Sequence, residues 1–307
     1  MKILVTGGTG CVGKHLQEYL VDGIADGNVI FVGSKDYDLR KKTDVREMFA
    51  KHQPGTVIHL AAKVGGIQDN IANPVEFLED NLIMNLNVVT EAVKYDVTKF
   101  IGIGSTCVYP DMLTDYGDYP MPESRLHDGP PTPTNFGYGY AKRMLAVHLE
   151  TIRKNRDLDY FTIFPSNLYS EYDNFENDTK AHFVTALLKK VKNSDGVVSL
   201  LGTGAPLRQF IHAEDLARVI CECLVKDVKQ DFNFCDDVNG RPPSIKEIAE
   251  MAVKVTGNKD LKLVFDNDST KDGQYRKDCS NAKMKELFPD FKFLPLEDGL
   301  QRVYNRM

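Results

Sequence analysis

Residues 6 to 13 read Thr-Gly-Gly-Thr-Gly-Cys-Val-Gly, set between the β-branched run Lys2 to Val5 and the amphipathic segment Lys14 to Val21. Glycines this closely spaced suit a backbone that must turn sharply, approach another group without a Cβ in the way, and let a helix pack tightly on a strand. The helix that follows offers its first N–H groups and the positive end of its dipole, which together attract phosphate. A Gly-x-Gly-x-x-Gly pattern alone is weak evidence, but between a strand and a helix it predicts a dinucleotide site. Gly7, Gly8, Thr9, Gly10, Cys11, Val12 and Gly13 are its candidate residues.

The alternation continues along the chain. Val29 to Val32, Thr56 to Leu60 and Phe100 to Ile103 read as strands separated by helical stretches, and Tyr160 to Phe164 follows a helix carrying Ala141, Leu145 and Leu149. Near-continuous apolar strands between helices predict an α/β fold, a doubly wound parallel sheet (Rossmann) with right-handed crossovers. Beyond about Ser170 the pattern weakens into a polar loop over 171–180, a helix from His182 to Val191, Gly-rich turns and a helix around Ile245 to Val255. The expected division is a dinucleotide-binding domain over 1–169, to which 203–235 returns through Asp215 to Val225, and a smaller C-terminal substrate-binding lobe from 170–202 and 236–307. There is no internal repeat and no low-complexity tract.

Composition narrows the function classes. With 307 residues, 42% apolar and 27% charged, the chain can bury a large core and is neither disordered nor collagen-like. A net charge of −6 argues against nucleic acid or an anionic membrane as partner. Six cysteines, at positions 11, 107, 221, 223, 235 and 279, are too few and too irregular for a disulfide framework, so free thiols in a reducing, cytoplasmic compartment are expected. The first residues run straight into glycine instead of a signal-like apolar core. No segment approaches the roughly 18 uninterrupted apolar residues of a membrane span, so an unanchored protein is expected.

Which dinucleotide binds is read at the end of the second strand, where a carboxylate holds the ribose hydroxyls of NAD and a basic residue accepts the extra phosphate of NADP. Val32 is followed by Gly33-Ser34-Lys35, and a hydroxyl beside an ammonium predicts NADP(H). Asp36 is the competing carboxylate if the register slips by one residue, and Asp38 and Leu39 are expected near the adenine.

Two further segments carry chemistry. Gly104-Ser105-Thr106-Cys107-Val108-Tyr109-Pro110 ends a buried strand, and Tyr138-Gly139-Tyr140-Ala141-Lys142 opens a helix. Tyr138 and Lys142 lie one turn apart on one face, so the ammonium can lower the phenol pKa and reach a ribose hydroxyl. Tyr138 passing a proton to a carbonyl oxygen held by Ser105 makes a device for carbonyl reduction.

Through HLAAKVGGI from His59, GSTCVYP from Gly104, NFGYGYAKRM from Asn135, PSNLYSEYDNF from Pro165, GTGAPLRQFIH from Gly202 and SIKEIAE from Ser244, the chain resembles the extended short-chain dehydrogenase/reductases over almost its whole length. Within them it is similar to the GDP-L-fucose synthase branch. That resemblance implies epimerisation at C3 and C5 of GDP-4-keto-6-deoxy-D-mannose, then NADPH-dependent reduction at C4 to GDP-L-fucose. It also implies a homodimer joined by two helices from each subunit. Both epimerised carbons are α to the C4 carbonyl, so the enolate charge collects on the oxygen that Ser105 and Tyr138 hold. By the same resemblance Cys107 is the base, which requires thiolate character, and His182 is the acid, an imidazole titrating near neutral pH. Gly104, Lys142, Pro165, Asn167, Leu168 and His182 are implied cofactor contacts, and Lys190, Leu201, Arg208 and Asp266 implied substrate contacts. Arg208 suits bidentate recognition of a diphosphate.

The chain departs from that branch where Leu201 replaces a tryptophan, where Thr185 replaces the proline three residues after His182, and at an extra residue around Asn267 to Ser269, beside Asp266. A reductase or epimerase for another 4-keto-6-deoxy nucleotide sugar is the nearest alternative, and one that only reduces would not need Cys107 or His182. A dehydratase is disfavoured, because Thr106-Cys107 stand where that branch carries Asp-Glu. A non-catalytic nucleotide-binding protein is disfavoured by the intact Ser105, Tyr138 and Lys142. Cys221-x-Cys223 has no second pair at metal spacing, so core packing is expected there and no metal site. His59 reads as a satisfied core histidine, and Pro130, Pro131 and Pro133 as a stiff loop positioning the Tyr138 helix.

Overall fold

The computed structural model of the chain describes residues 2–21, 28–111, 119–173, 182–237, 240–258 and 260–307. Most of the loop expected over 171–180 therefore lies outside the described residues. In chain order the first half contains β1 (Ile3–Thr6), α1 (Cys11–Val21), β2 (Val29–Val32), α2 (Lys42–His52), β3 (Thr56–His59), α3 (Ile67–Ala72), α4 (Pro74–Lys94), β4 (Lys99–Ile103), α5 (Phe136–Arg156) and β5 (Asp159–Pro165). The second half contains β6 (Asn167–Tyr169), α6 (Phe183–Lys192), β7 (Val197–Leu200), β8 (Phe210–His212), α7 (Ala213–Val225), β9 (Phe232–Phe234), α8 (Ile245–Thr256), β10 (Lys262–Phe265), α9 (Ala282–Leu287) and α10 (Leu296–Arg306).

Six strands pair in parallel in the order β2-β1-β3-β4-β5-β9, the doubly wound α/β arrangement expected from the sequence. Alternate strand residues feed the two faces. Val5, Ile101, Ile163 and Phe232 pack with Leu16 and Leu20 of α1 and with Leu216, Val219 and Ile220 of α7. Leu4, Val57, Phe100 and Tyr160 pack with residues of α2, α4 and α5, among them Phe49, Val88, Leu145 and Leu149. Because the chain leaves β1 for β2 on one side and then returns to β3 on the other, a crevice opens beyond their carboxyl ends, the position where open α/β sheets bind ligands.

Residues 215–225, expected to lead the chain back to the sheet, are helical as part of α7, and the short strand β9 makes the return beside β5. A third apolar cluster joins α6, α8 and α10 with β6, β7, β8 and Phe265 of β10. Two parallel two-stranded sheets, β6 with β8 and β7 with β10, lie in this part of the chain. Helix α8 is delimited by a reciprocal Ser244 and Glu247 capping box and ends at Gly257, whose φ of +71° is the left-handed conformation of a C-terminal cap.

Close packing sets how α5 lies on β4. A Cβ on Gly102 would sit 2.6 Å from Cδ1 of Leu149, which is itself fully buried. Leu149→Ala therefore removes the contact that seats α5 on the sheet. It is expected to cost about 2–5 kcal/mol, read as a lower urea midpoint at unchanged slope.

Candidate active site

The glycine-rich turn rises from β1 into α1. Gly7 has φ +70°, and a Cβ there would lie 2.7 Å from the Ala61 backbone nitrogen after β3; a Cβ on Gly13 would overlap the Gly8 carbonyl. The Gly8 N–H donates to the Val32 carbonyl at 2.9 Å, fixing the turn over the crevice. A cradle that any side chain would fill, at a helix N-terminus, fits a dinucleotide pyrophosphate. Thr9 packs against Gly33, and Cys11 donates its thiol hydrogen to the Tyr172 carbonyl at 3.3 Å. Burial, reinforced by Asp173, pushes that thiol up to about 12, so it stays protonated.

After β2, Ser34 and Lys35 are exposed. The Asp36 carboxylate turns back to accept the Gly33 N–H at 2.7 Å and closes its own turn. Asp38 receives both Nε (2.9 Å) and Nη2 (3.1 Å) of Arg40, a bidentate partner that holds it below the usual carboxylate range. Leu39 is buried, packing in the cluster of Val32 and Val45.

At the carboxyl end of β4, the Gly104 N–H donates to Ile163 at 2.8 Å, and Ser105 caps a short turn over Thr106–Val108, its hydroxyl accepting the Cys107 N–H at 3.2 Å. Helix α5 reaches this loop because Gly139 leaves no side chain between them; a Cβ there would meet the Cys107 carbonyl at 2.6 Å. Arg143 fastens the contact, donating to the Val108 carbonyl at 3.0 Å and to the Gly129 carbonyl at 2.9 Å. Lys142 is 2% exposed, donates to the Ile103 carbonyl at 2.7 Å and lies 5.9 Å from the centre of the Tyr138 ring. Burial lowers the Lys142 ammonium to about 8. In place of the lowering by Lys142 expected from the sequence, burial pushes the Tyr138 phenol well above its ordinary value, with Cys107 adding to the rise and a hydrogen bond from Ser105 opposing it. Two groups face the Cys107 sulfur: the Asn135 amide donates to it at 2.9 Å, and the Lys277 ammonium stands 3.7 Å away.

His182 caps the start of α6, with Nδ1 2.9 Å from Oδ1 of Asp173. That hydrogen bond raises the imidazole pKa, with burial opposing. Pro165 ends β5, Asn167 donates to the Gln209 carbonyl at 2.8 Å, and Leu168 is half-buried beside it. Arg208, half-buried, donates to the Leu207 carbonyl at 2.8 Å; burial lowers its pKa, opposed by Tyr119, Asp272 and Cys107 nearby. Lys190 and Leu201 are exposed. Asp266 accepts the Gly202 N–H at 2.8 Å and pairs with Lys271 at 2.6 Å, so its carboxylate fastens the turn that follows Leu201. Sequence reasoning missed Asn135, Lys277, Arg40 and Asp173. Asn135 stood three residues before Tyr138 in plain view. Lys277 is 170 residues from Cys107 and carried no local signal.

His59 is fully buried and satisfied, its Nδ1 accepting from Thr6 at 2.7 Å and its Nε2 donating to Asn85 at 3.0 Å; burial lowers it to about 4. Cys221 and Cys223 are buried on α7 as free thiols. Among the described residues, His15, Glu171 and His212 meet the spacing of metal ligands. However, Nδ1 of His212 accepts the Glu214 N–H at 3.3 Å, so its proton sits on Nε2, 2.9 Å from Glu171. That occupies the lone pair a metal would need and leaves a polar staple between α1 and the segment following β6.

The comparisons with known proteins agree with this fold. The model of the NAD dependent epimerase/dehydratase family matches residues 3–235. The chain is 36% identical to a GDP-L-fucose synthase of Dictyostelium discoideum, over 97% of this chain and 92% of that one. It is also 36% identical to a probable GDP-L-fucose synthase of Drosophila melanogaster, over 97% and 94%. The crystal structure of a GDP-L-fucose synthetase from Naegleria fowleri bound to NADP superposes with a TM-score of 0.86 at 33% identity, covering 99% of this chain and 92% of that one.

Lys142 sets the prediction here. A buried ammonium whose pKa falls from 10.5 to about 8 binds its proton less tightly folded than unfolded, so it costs stability below pH 8, and the cost fades as pH rises toward 10.5. Lys142→Met is therefore expected to unfold at a higher denaturant concentration than wild type near neutral pH, by on the order of 3 kcal/mol at most. Urea titrations should find that advantage shrinking by about pH 9.5, while carbonyl-reducing activity is lost at every pH.

Proposed function

Because the chain belongs to the NAD dependent epimerase/dehydratase family, we propose that it converts GDP-4-keto-6-deoxy-D-mannose to GDP-L-fucose by 3,5-epimerisation and NADPH-dependent 4-reduction. The observation that carries this reading is the convergence of Ser105, Cys107, Tyr138 and Lys142 at the carboxyl end of β4. The turn from Gly7 to Gly13 would hold NADP(H), Ser34 and Lys35 would take the extra phosphate and Lys142 the nicotinamide ribose; when bound, the reduced form would supply the hydride for C4.

One polarising device serves both reactions. Cys107 removes the proton from C3 or C5, and the charge moves to O4, where the Ser105 hydroxyl and the Tyr138 phenol hold it. Asn135 and Lys277 steady the sulfur that acts as base. His182 returns a proton on the opposite face, which inverts the centre. In the reduction Tyr138 gives its proton to O4. A phenol pushed above its ordinary range keeps that proton until the more basic alkoxide develops.

Substrate grip divides among Arg208 and Lys190 at the diphosphate, Leu201 beside the nucleotide sugar, and Asp266, which acts through the Gly202 turn it fastens. The proposed division assigns NADP to residues 1–169 with 203–235, and the nucleotide sugar to 170–202 with 236–307. Free thiols at all six cysteines support a reducing, cytoplasmic setting. Among the described residues no helix is long and apolar enough to cross a membrane. Helices α4 and α5 lie against each other and expose Ile83, Leu86 and Met144. That stripe supports a homodimer with two helices from each subunit.

Incubation with NADPH and the keto sugar in D2O tests the chemistry. Deuterium at C3 and C5 with NADPH consumption is expected; consumption without label would leave a plain reductase, and neither would leave a binding protein. Cys107→Ser should suppress labelling by about a hundredfold or more while leaving NADPH affinity within about twofold; equal loss of both would make the residue structural. For assembly, light scattering should give twice the 34.5 kDa chain mass for wild type and one chain for Leu86→Glu.

A further inference from the structure

We propose that Asp173 is the positioning residue of the epimerisation, clamping His182 through Nδ1 and through its backbone so that Nε2 is the atom that delivers the proton. The inference rests on the reading of His182 as the acid. Asp173 is 8% exposed and turns both carboxylate oxygens to the start of α6. Oδ1 takes Nδ1 of His182 at 2.9 Å, while Oδ2 accepts the His182 N–H at 3.2 Å and the Thr185 hydroxyl at 2.6 Å. A carboxylate can only accept, so Nδ1 must carry hydrogen, and the tautomer is fixed with the exchangeable position at Nε2. Thr185 stands where the resembling branch has proline; its hydroxyl gives the carboxylate a third donor that proline lacks, which fixes the orientation of Asp173.

The charge works in the same direction as the geometry. Asp173 strengthens the hold of His182 on its second proton. From α1 the titratable neighbour of Asp173 is Cys11, whose thiol stays protonated and adds no charge, and Lys14 and Glu171 act on that thiol with opposite sign. In the step itself the N–H bond at Nε2 breaks and a C–H bond forms at the enolate carbon. The C4 carbonyl is restored, and the imidazole is left neutral with its Nδ1–H still on Asp173. Solvent then returns a proton to Nε2 and takes from Cys107 the one it removed from carbon, which resets the pair.

The test follows deuterium incorporation at C3 and C5 against pH in wild type, Asp173→Asn, Thr185→Val and His182→Gln, with NADPH titration as the check on folding. The acid is active while protonated, so its loss forms the alkaline limb of the profile. Asp173→Asn is expected to slow labelling about a hundredfold and to move that limb about one unit toward lower pH. NADP+-dependent oxidation of GDP-L-fucose, which exchanges no proton at C3 or C5, should fall far less. Thr185→Val should move the limb in the same direction by a smaller amount, and Asp173→Glu should recover part of the lost rate. A limb that stays in place in Asp173→Asn overturns the proposal even if the rate falls. If Asp173→Asn does not fold, Thr185→Val decides on the same limb. If His182→Gln labels and inverts C3 and C5 at the wild-type rate, the assignment of His182 fails; if it abolishes inversion while Asp173→Asn matches wild type, this proposal alone fails.

Discussion

The hydrogen bond from the buried Lys142 ammonium to the Ile103 carbonyl, 2.7 Å long, joins helix α5 to the end of β4. An ammonium taken out of water needs polar contacts in return or gives up its proton more readily, and burial alone lowers its pKa here. The surrounding structure exists to keep that approach short. Gly139 lets the helix touch the Cys107 carbonyl, Gly102 lets Leu149 sit on the strand, and Arg143 ties down two loop carbonyls. Tyr138, one turn before Lys142, is carried into the same space.

Much of the architecture was legible because buried parallel strands and their covering helices write two different apolar periods into the chain. Of the strands that were not foreseen, β6, β8 and β9 have three residues each, too few to establish any period, and β7 and β10 have four with every second residue exposed, unlike the continuous apolar runs of the main sheet. The stretch from Asp215 to Val225 is a regular helix whose apolar residues pack on α1, and only the short strand after it rejoins the sheet.

Within the site, motifs gave the residues that act through local spacing and missed those that act across the fold. Tyr138 and Lys142 declare each other at four residues apart, whereas Asp173 sat in a polar stretch where any carboxylate looks like a solvated loop. The choice between Lys35 and Asp36 depended on one residue of register, and a single 2.7 Å hydrogen bond from the Gly33 N–H decides where the Asp36 carboxylate goes. Lys277 reaches Cys107 only because the C-terminal part of the chain folds back over the β4 loop.

Glu171, Tyr172 and Asp173 are consecutive, yet each is committed to a different neighbour. Glu171 faces His15 and His212, the Tyr172 carbonyl takes the Cys11 thiol, and Asp173 grips the start of α6. The three lie in a turn closed by the Asp173 N–H on the Ser170 carbonyl at 3.2 Å, so inserting or deleting one amino acid there would open the turn and break these contacts together. This tripeptide therefore has a fixed length, because three separate neighbours are reached from one short turn.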